Sequence, residues 1–285
     1  MLWAFTKYHG LGNDYLVIDP ARCAFDPTPE AVRLVCDRHY GAGSDGILLG
    51  PLAVPGSTDT GLRIFNPDGS EAEKSGNGLR IFAWFLYEHG LVGAAPFRLR
   101  TLAGSALAQV VDPAGHVVRV DMGVPDFAAR AAAPGADRDE LLDQPLGFGA
   151  ETCRVTFVSM GNPHAVILGR PVTAEEACRL GPQVEGSPLF PAKTNVQLME
   201  VLSREAIRIE IWERGAGYTL ASGSSSCAAA AAARRLGLVD DQVAVHMPGG
   251  ILQVRFADGA AHLQGPVAKV MEGSFAGELL ARIRS

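Results

Sequence analysis

Apolar and polar positions alternate with a period of two through most of this chain, and a period near 3.6 replaces it at four places. Residues 3–19 read as a strand, a tight turn at Gly10-Leu11-Gly12-Asn13-Asp14, and a strand at Tyr15-Leu16-Val17-Ile18. A helical pattern follows over 29–39, with Val32, Leu34 and Val35 apolar and Pro29 suited to a first turn. Ile47-Leu48-Leu49 and Leu62-Arg63-Ile64-Phe65 read as strands, the second running into a Gly-rich turn and an apolar helix. That helix ends near Glu88-His89-Gly90, where Gly90 suits a C-cap. Three short β segments come next, at 97–101, 106–111 and 117–122. The stretch 123–150 is rich in Ala, Pro, Gly and Asp with weak periodicity, and reads as the crossing between two halves. Strands resume at 152–160, 165–168 and 196–202, with a helical turn at 173–180. Residues 207–212 alternate into a second Gly-rich turn, and 251–265 reads as a closing hairpin around Asp258-Gly259. The class is mixed α/β (α+β).

The first Gly-rich turn spans Asn66-Pro67-Asp68-Gly69-Ser70-Glu71 and Ser75-Gly76-Asn77-Gly78, then enters Leu79-Arg80-Ile81-Phe82. The second, Ser222-Gly223-Ser224-Ser225-Ser226-Cys227, enters six alanines and Arg234-Arg235. A turn that opens a helix presents backbone N–H groups and the positive end of the helix dipole, a place for a carboxylate or another anion. The two turns belong to an internal repeat. Ser75-Gly76 and Ser222-Gly223 lie 147 positions apart, as do Asn66 and Glu213, each at a strand end. Gly12-Asn13 and Gly161-Asn162 are offset by 149, and Asp45 and Asn195, each before an apolar strand, by 150. Four matches in one order at nearly one offset imply a duplicated α/β unit. The lobes would take 1–122 plus 266–285 and 123–265, with a ligand in the cleft between them.

Composition narrows the picture. The 285 residues suffice for one large domain or two ordinary ones, with 47% hydrophobic and 20% charged positions. A net charge of −6 argues against nucleic acid, which needs a basic face. No apolar run reaches membrane length, and Met1-Leu2-Trp3-Ala4-Phe5-Thr6-Lys7 lacks the pattern of a signal peptide. Five scattered cysteines read as a reducing compartment, so a cytoplasmic protein is expected. Gly41-Ala42-Gly43-Ser44-Asp45-Gly46 matches a loose dinucleotide pattern but follows a helix and precedes a strand, the reverse of the required order. Cys36-Asp37-Arg38-His39 has no second ligand pair, so no metal is expected, and no His/Asp partner in sequence supports a serine hydrolase.

Several blocks carry a family signature: Phe5-Thr6-Lys7-Tyr8-His9-Gly10-Leu11-Gly12-Asn13-Asp14-Tyr15, Phe65-Asn66-Pro67-Asp68-Gly69-Ser70-Glu71, Ser159-Met160-Gly161-Asn162-Pro163-His164 and Trp212-Glu213-Arg214-Gly215-Ala216-Gly217. With Pro248-Gly249-Gly250 and Gly265-Pro266, they resemble the diaminopimelate epimerases over nearly the whole chain. The resemblance implies two pseudo-symmetric lobes, each a curled sheet around a central helix. It implies inversion of one α-carbon of diaminopimelate, L,L to meso, in lysine and cell-wall biosynthesis, by a homodimer without pyridoxal phosphate or another cofactor. In that family one cysteine removes the α-proton and a second returns one from the opposite face. Carried over by position, Gly76, Asn77, Gly223 and Ser224 would cradle the reacting carboxylate. Asn13, Asn66, Asn162, Asn195, Glu213 and Arg214 would hold the other amino-acid end, and His164 and Glu213 would assist the acid and base. Each also has a plain structural reading: left-handed turns for Asn13 and Asn162, a surface ion pair for Glu213-Arg214, a core histidine for His164.

The chain departs from the family where the chemistry would be. Ser75 and Ser222 stand at the two cysteine positions, Tyr218 where Glu is common, and Gly46 where Gln is frequent. A thiol near a helix N-terminus ionises close to neutrality, whereas a hydroxyl needs a partner to take its proton. Four readings follow: an epimerase with serines at the acid/base positions, a chain whose cysteines were replaced, an amino-acid binder without turnover, and an eliminating enzyme like the proline racemase-like dehydratases.

Overall fold

The structure is a computed structural model that describes residues 4–128 and 139–284. The chain forms two units, Met1–Val120 with Gly265–Ser285, and Asp121–Gln264. In the first unit β1 (Ala4–Gly10) and β2 (Asn13–Ile18) form a hairpin whose turn places Leu11 and Gly12 at φ 60° and 92°. α1 (Pro29–Cys36) follows, capped by Thr28, whose hydroxyl accepts the Ala31 amide. β3 (Ile47–Ala53) runs parallel to β2, and β4 (Thr60–Phe65) runs back against it. The short β5 (Glu71–Ala72) leads into α2 (Gly76–Glu88). β6 (Phe97–Thr101) lies parallel to β4, and β7 (Gly104–Asp112) and β8 (Val117–Gly123) complete a meander.

The second unit repeats this order. β9 (Gln144–Phe148) pairs with β10 (Glu151–Ser159), which forms a hairpin with β11 (Pro163–Leu168). α3 (Ala174–Glu185) connects to β12 (Asn195–Ser203), parallel to β11. β13 (Ala206–Glu213) and β14 (Gly217–Thr219) precede α4 (Gly223–Arg235). β15 (Gln242–Met247), β16 (Gly250–Ala257) and β17 (Ala260–Pro266) close the series, with β15 parallel to β13. The chain returns through β18 (Ala268–Ser274), which pairs with β1 as β9 pairs with β10, and ends in α5 (Gly277–Arg284).

The ladders refine the repeat. Leu16 faces Ile47 across the parallel pair in one unit, and Ala165 faces Val196 in the other. Both strands therefore share an offset of 149, so the counterpart of Asn195 is Gly46 rather than Asp45, and that of His164 is Tyr15. Matching by polar type misplaced this pair by one residue; hydrogen-bond register decides it.

Each unit is organised by one buried helix. α2 is buried from Gly76 to Leu86, as expected of a helix apolar on every face, and packs against β1, β2, β3 and β7. α4 does the same with alanines, whose small side chains let β10 to β13 approach closely. α1 and α3 cover the outer faces through Val32, Val35, Ala177, Leu180 and Val184. Among the described residues no helix is long and apolar enough to cross a membrane.

Four expectations need correction. The helix expected over 29–39 stops at Cys36, because Asp37 is extended and its carboxylate collects the His39 and Tyr40 amides. The helical turn at 173–180 is a twelve-residue helix running on through Pro182 to Glu185. The 123–150 crossing contains β9 and an Asp126–Ser159 bridge; its residues 129–138, like residue 3 of the first expected strand, lie outside the described residues. β15, β18 and α5 were not foreseen.

Candidate active site

Both Gly-rich turns end in the same local structure. Ser75 is the N-cap of α2 at φ −138°, ψ 122°, and its Oγ accepts the Gly78 amide at 3.0 Å. Ser222 is the N-cap of α4 at φ −142°, ψ 126°, and its Oγ accepts the Ser225 amide at 3.4 Å. The helical ladders begin with Leu79 N–H to Ser75 C=O and Ser226 N–H to Ser222 C=O. The amides of Gly76 and Asn77, and of Gly223 and Ser224, therefore come before the ladder, where the helix dipole is positive. The serines serve as caps because a hydroxyl oxygen is a good acceptor at this position.

In the first unit a polar chain lies behind Ser75. The buried Asn77 donates from Nδ2 to Asn13 Oδ1 at 2.9 Å and accepts Arg80 Nη2 at 2.5 Å. Arg80 has no exposed surface and also donates to the carbonyls of Gly76 (3.3 Å) and Pro266 (3.2 Å). Asn13 donates to Asp45 Oδ2 at 3.1 Å, which also accepts the Asp14 amide at 3.0 Å. Arg38 bridges Asp14 and Asp45 at 2.8 Å each, and Lys7 pairs with Asp14 at 2.7 Å. Burial pushes the Asp14 carboxyl up, but hydrogen bonds from Arg38 and Lys7 outweigh it and hold the group below the usual range. Burial and the adjacent Asp14 charge hold Asp45 above it, against the pull of the Asp14 amide. Asn66 sits apart from this chain, closing the turn after β4 with a bond from Nδ2 to Ser70 Oγ at 2.9 Å.

In the second unit His164 has no exposed surface and its Nε2 meets Asn162 Oδ1 at 2.9 Å. Burial drives its pKa down to about 3, and the nearby Arg214 charge adds to the fall. The imidazole is therefore neutral at any physiological pH. Gln197 donates to Ser225 Oγ at 3.0 Å, which ties the His164 strand pair to the first turn of α4. Asn195 donates to Pro163 O at 2.9 Å and accepts the Arg214 amide at 3.0 Å. Glu213 ends β13 opposite Gly217, and Arg214 Nη1 donates to Ala192 O at 3.3 Å. Glu185 steadies that turn by accepting Trp212 Nε1 (2.7 Å) and the Gly215 amide (3.0 Å). Tyr218 points its hydroxyl to Glu210 at 2.7 Å, and Cys227 is fully buried inside α4.

Sequence reasoning missed Arg80, Asp45, Gln197, Ser225 and Glu185. A charged or amide side chain inside an otherwise apolar run, as at Arg80 and Gln197, was the available signal.

This arrangement, two repeats each with a buried helix capped by a small polar residue, belongs to the fold of proline racemases and related epimerases. A probable proline racemase from Agrobacterium radiobacter K84 shares it with a TM-score of 0.72 at 16% identity, over 96% of this chain and 93% of that one. A predicted epimerase from Pseudomonas aeruginosa gives 0.67 at 20%, over 95% and 98%. Sequence narrows the class further. The profile of the family described as diaminopimelate epimerase matches residues 5–128 and 156–275. Diaminopimelate epimerase 2 of Nostoc sp. is 49% identical over 97% of both chains, and the diaminopimelate epimerase of Moorella thermoacetica 40% over 95% and 98%. The chain belongs to the diaminopimelate epimerase family.

Proposed function

We propose that this chain is an isomerase that inverts one α-carbon of diaminopimelate, L,L to meso, with Ser75 and Ser222 at the two acid/base positions. One observation carries the reading. In a chain 49% identical to a diaminopimelate epimerase, the two serines cap equivalent buried helices of a structural repeat, each placing its Oγ beside first-turn amides.

Removing the α-proton sends charge into the adjacent carboxylate as an enediolate. Amides aimed at those oxygens bind the enediolate more tightly than the substrate, and one such donor is worth roughly 3 kcal/mol of barrier in other enzymes. Gly76 with Asn77, and Gly223 with Ser224, would supply these donors. Asn13, Asn66, Asn162, Asn195, Glu213 and Arg214 would contact the non-reacting amino-acid end, Arg214 through a two-pronged carboxylate contact. A neutral, buried His164 positions Asn162 instead of carrying the proton. Glu213 would assist proton transfer. Assembly as a homodimer in the cytoplasm belongs to the same proposal, and sedimentation velocity checks the assembly.

A second reading, amino-acid binding without turnover, is favoured by the engagement of both hydroxyls as cap acceptors. Incubating the protein with L,L-diaminopimelate and separating stereoisomers by chiral chromatography decides between them. Appearance of the meso isomer supports the epimerase. Heat of binding without any meso product supports the binder.

A further inference from the structure

Tyr15 stands on β2 with only 6% of its surface exposed, and its hydroxyl lies 3.2 Å from Ser75 Oγ. Room for its ring is left by Gly46, the residue just before the parallel neighbour β3. A Cβ at Gly46 would sit 2.7 Å from Tyr15 Cε1 and 3.1 Å from Cδ1, and would run into the Phe65 carbonyl oxygen. The Gly46 backbone lies outside the left-handed region, so its conformation does not demand glycine; space for the Phe65 carbonyl, 2.4 Å from such a Cβ, and for the Tyr15 ring does. In the other unit the equivalent positions hold His164 and Asn195, and His164 turns its Nε2 to Asn162. The two serines therefore have different surroundings.

Resting on the function proposed above, we propose that Tyr15 is the positioning residue for Ser75: it fixes the Ser75 hydroxyl and exchanges a proton with it. A serine hydroxyl has one proton and two lone pairs. The Gly78 amide occupies one lone pair. When the Tyr15 hydroxyl donates to the second, the Ser75 proton is left to point at the substrate, and Ser75 is an acid. When Tyr15 is the phenolate and Ser75 donates to it, a lone pair is left, and Ser75 is a base. In the acid direction the O–H bond of Ser75 breaks as a C–H bond forms at the α-carbon. The Tyr15 proton passes to Ser75 Oγ in the same step. One negative charge moves from the enediolate to the phenolate, Ser75 ends neutral, and the base direction is the reverse. A phenol ionises near pH 10 in model compounds and is much more acidic than an aliphatic alcohol, so the charge avoids an alkoxide.

The test compares deuterium uptake at the α-carbons of L,L-diaminopimelate in D2O for the native chain, Tyr15→Phe, Ser75→Ala and the double variant, between pH 6.5 and 10. The expected result is a loss of at least about tenfold in Tyr15→Phe together with a pH profile changed from that of the native chain. The double variant should be no slower than Ser75→Ala, as for residues acting as one unit. Gly46→Ala keeps the phenol but displaces its ring, and should slow exchange in the same direction, so the idea stays testable if Tyr15→Phe folds poorly. Native-like exchange and pH profile in both Tyr15→Phe and Gly46→Ala would overturn the role of Tyr15 while leaving the epimerase reading intact. So would a double variant slowed by the product of the single effects. No exchange by the native chain would overturn both.

Discussion

Replacing Ser75 or Ser222 by alanine and by glycine separates the structural work of these residues from any chemistry. Each alanine variant removes an N-cap acceptor and leaves a first-turn amide inside the protein without its partner. Loss of a serine cap costs typically about 1 kcal/mol, within about 0.5–2 kcal/mol, whereas glycine costs only a few tenths. The Ser75 bond is the shorter, 3.0 Å against 3.4 Å, and Ser75 also meets the Tyr15 hydroxyl. Ser75→Ala should therefore lie near the upper part of that range, about 1–2 kcal/mol, and Ser222→Ala near about 0.5–1 kcal/mol. In calorimetry these become losses of roughly 2–4 °C per kcal/mol in Tm. The glycine variants carry the sharper logic. Were the serines mere packing groups, glycine, which removes more atoms, would be worse than alanine. As caps, glycine must be better. Glycine variants less stable than alanine variants at both sites, or alanine variants indistinguishable from native, would refute the capping role.

Gly181 in α3 sits under Trp212, where a Cβ would lie 2.6 Å from Trp212 Cβ. Gly181→Ala should lower Tm although alanine is the better helix former by about 1 kcal/mol, because overpacking costs roughly 1–3 kcal/mol. Arg80→Met leaves Asn77 Oδ1 and two carbonyls without the buried guanidinium and should destabilise by about 3 kcal/mol or more, read by urea unfolding. The His164 ring resonances should stay flat from pH 8 to about 4 in proton NMR, since burial lowers its pKa to about 3. The unfolded chain takes up that proton below about pH 6.5 and the folded chain does not, so stability should fall as pH drops through this window. A titration midpoint near 6.5 would contradict the buried neutral ring.

The sequence carried the parts of the structure that rest on local rules. Ser-Gly before an apolar run marks a helix start wherever it occurs, and both caps fall on it. β15 shows alternation at Val243, Val245 and Met247, but it lies between Gly- and Pro-containing turns that obscure so short a run. β18 shows none: most of Ala268–Ser274 is exposed, and it is a strand because the edge of β1 is there to pair with it. The Gly181-Pro182 pair reads as a helix stop, yet α3 continues because Trp212 packs onto the bare glycine. The contact of Tyr15 with Ser75 spans 60 positions and depends on how α2 packs on β2, which no local pattern specifies.

Proton exchange at an amino-acid α-carbon through Ser75 and Ser222 is open to direct measurement. Proton NMR of L,L-diaminopimelate in D2O with the native chain and with Ser75→Ala and Ser222→Ala tests it most directly. The α-proton signal should disappear with the native chain and persist with either variant. Undiminished deuterium uptake in both variants, or none with the native chain, would contradict it.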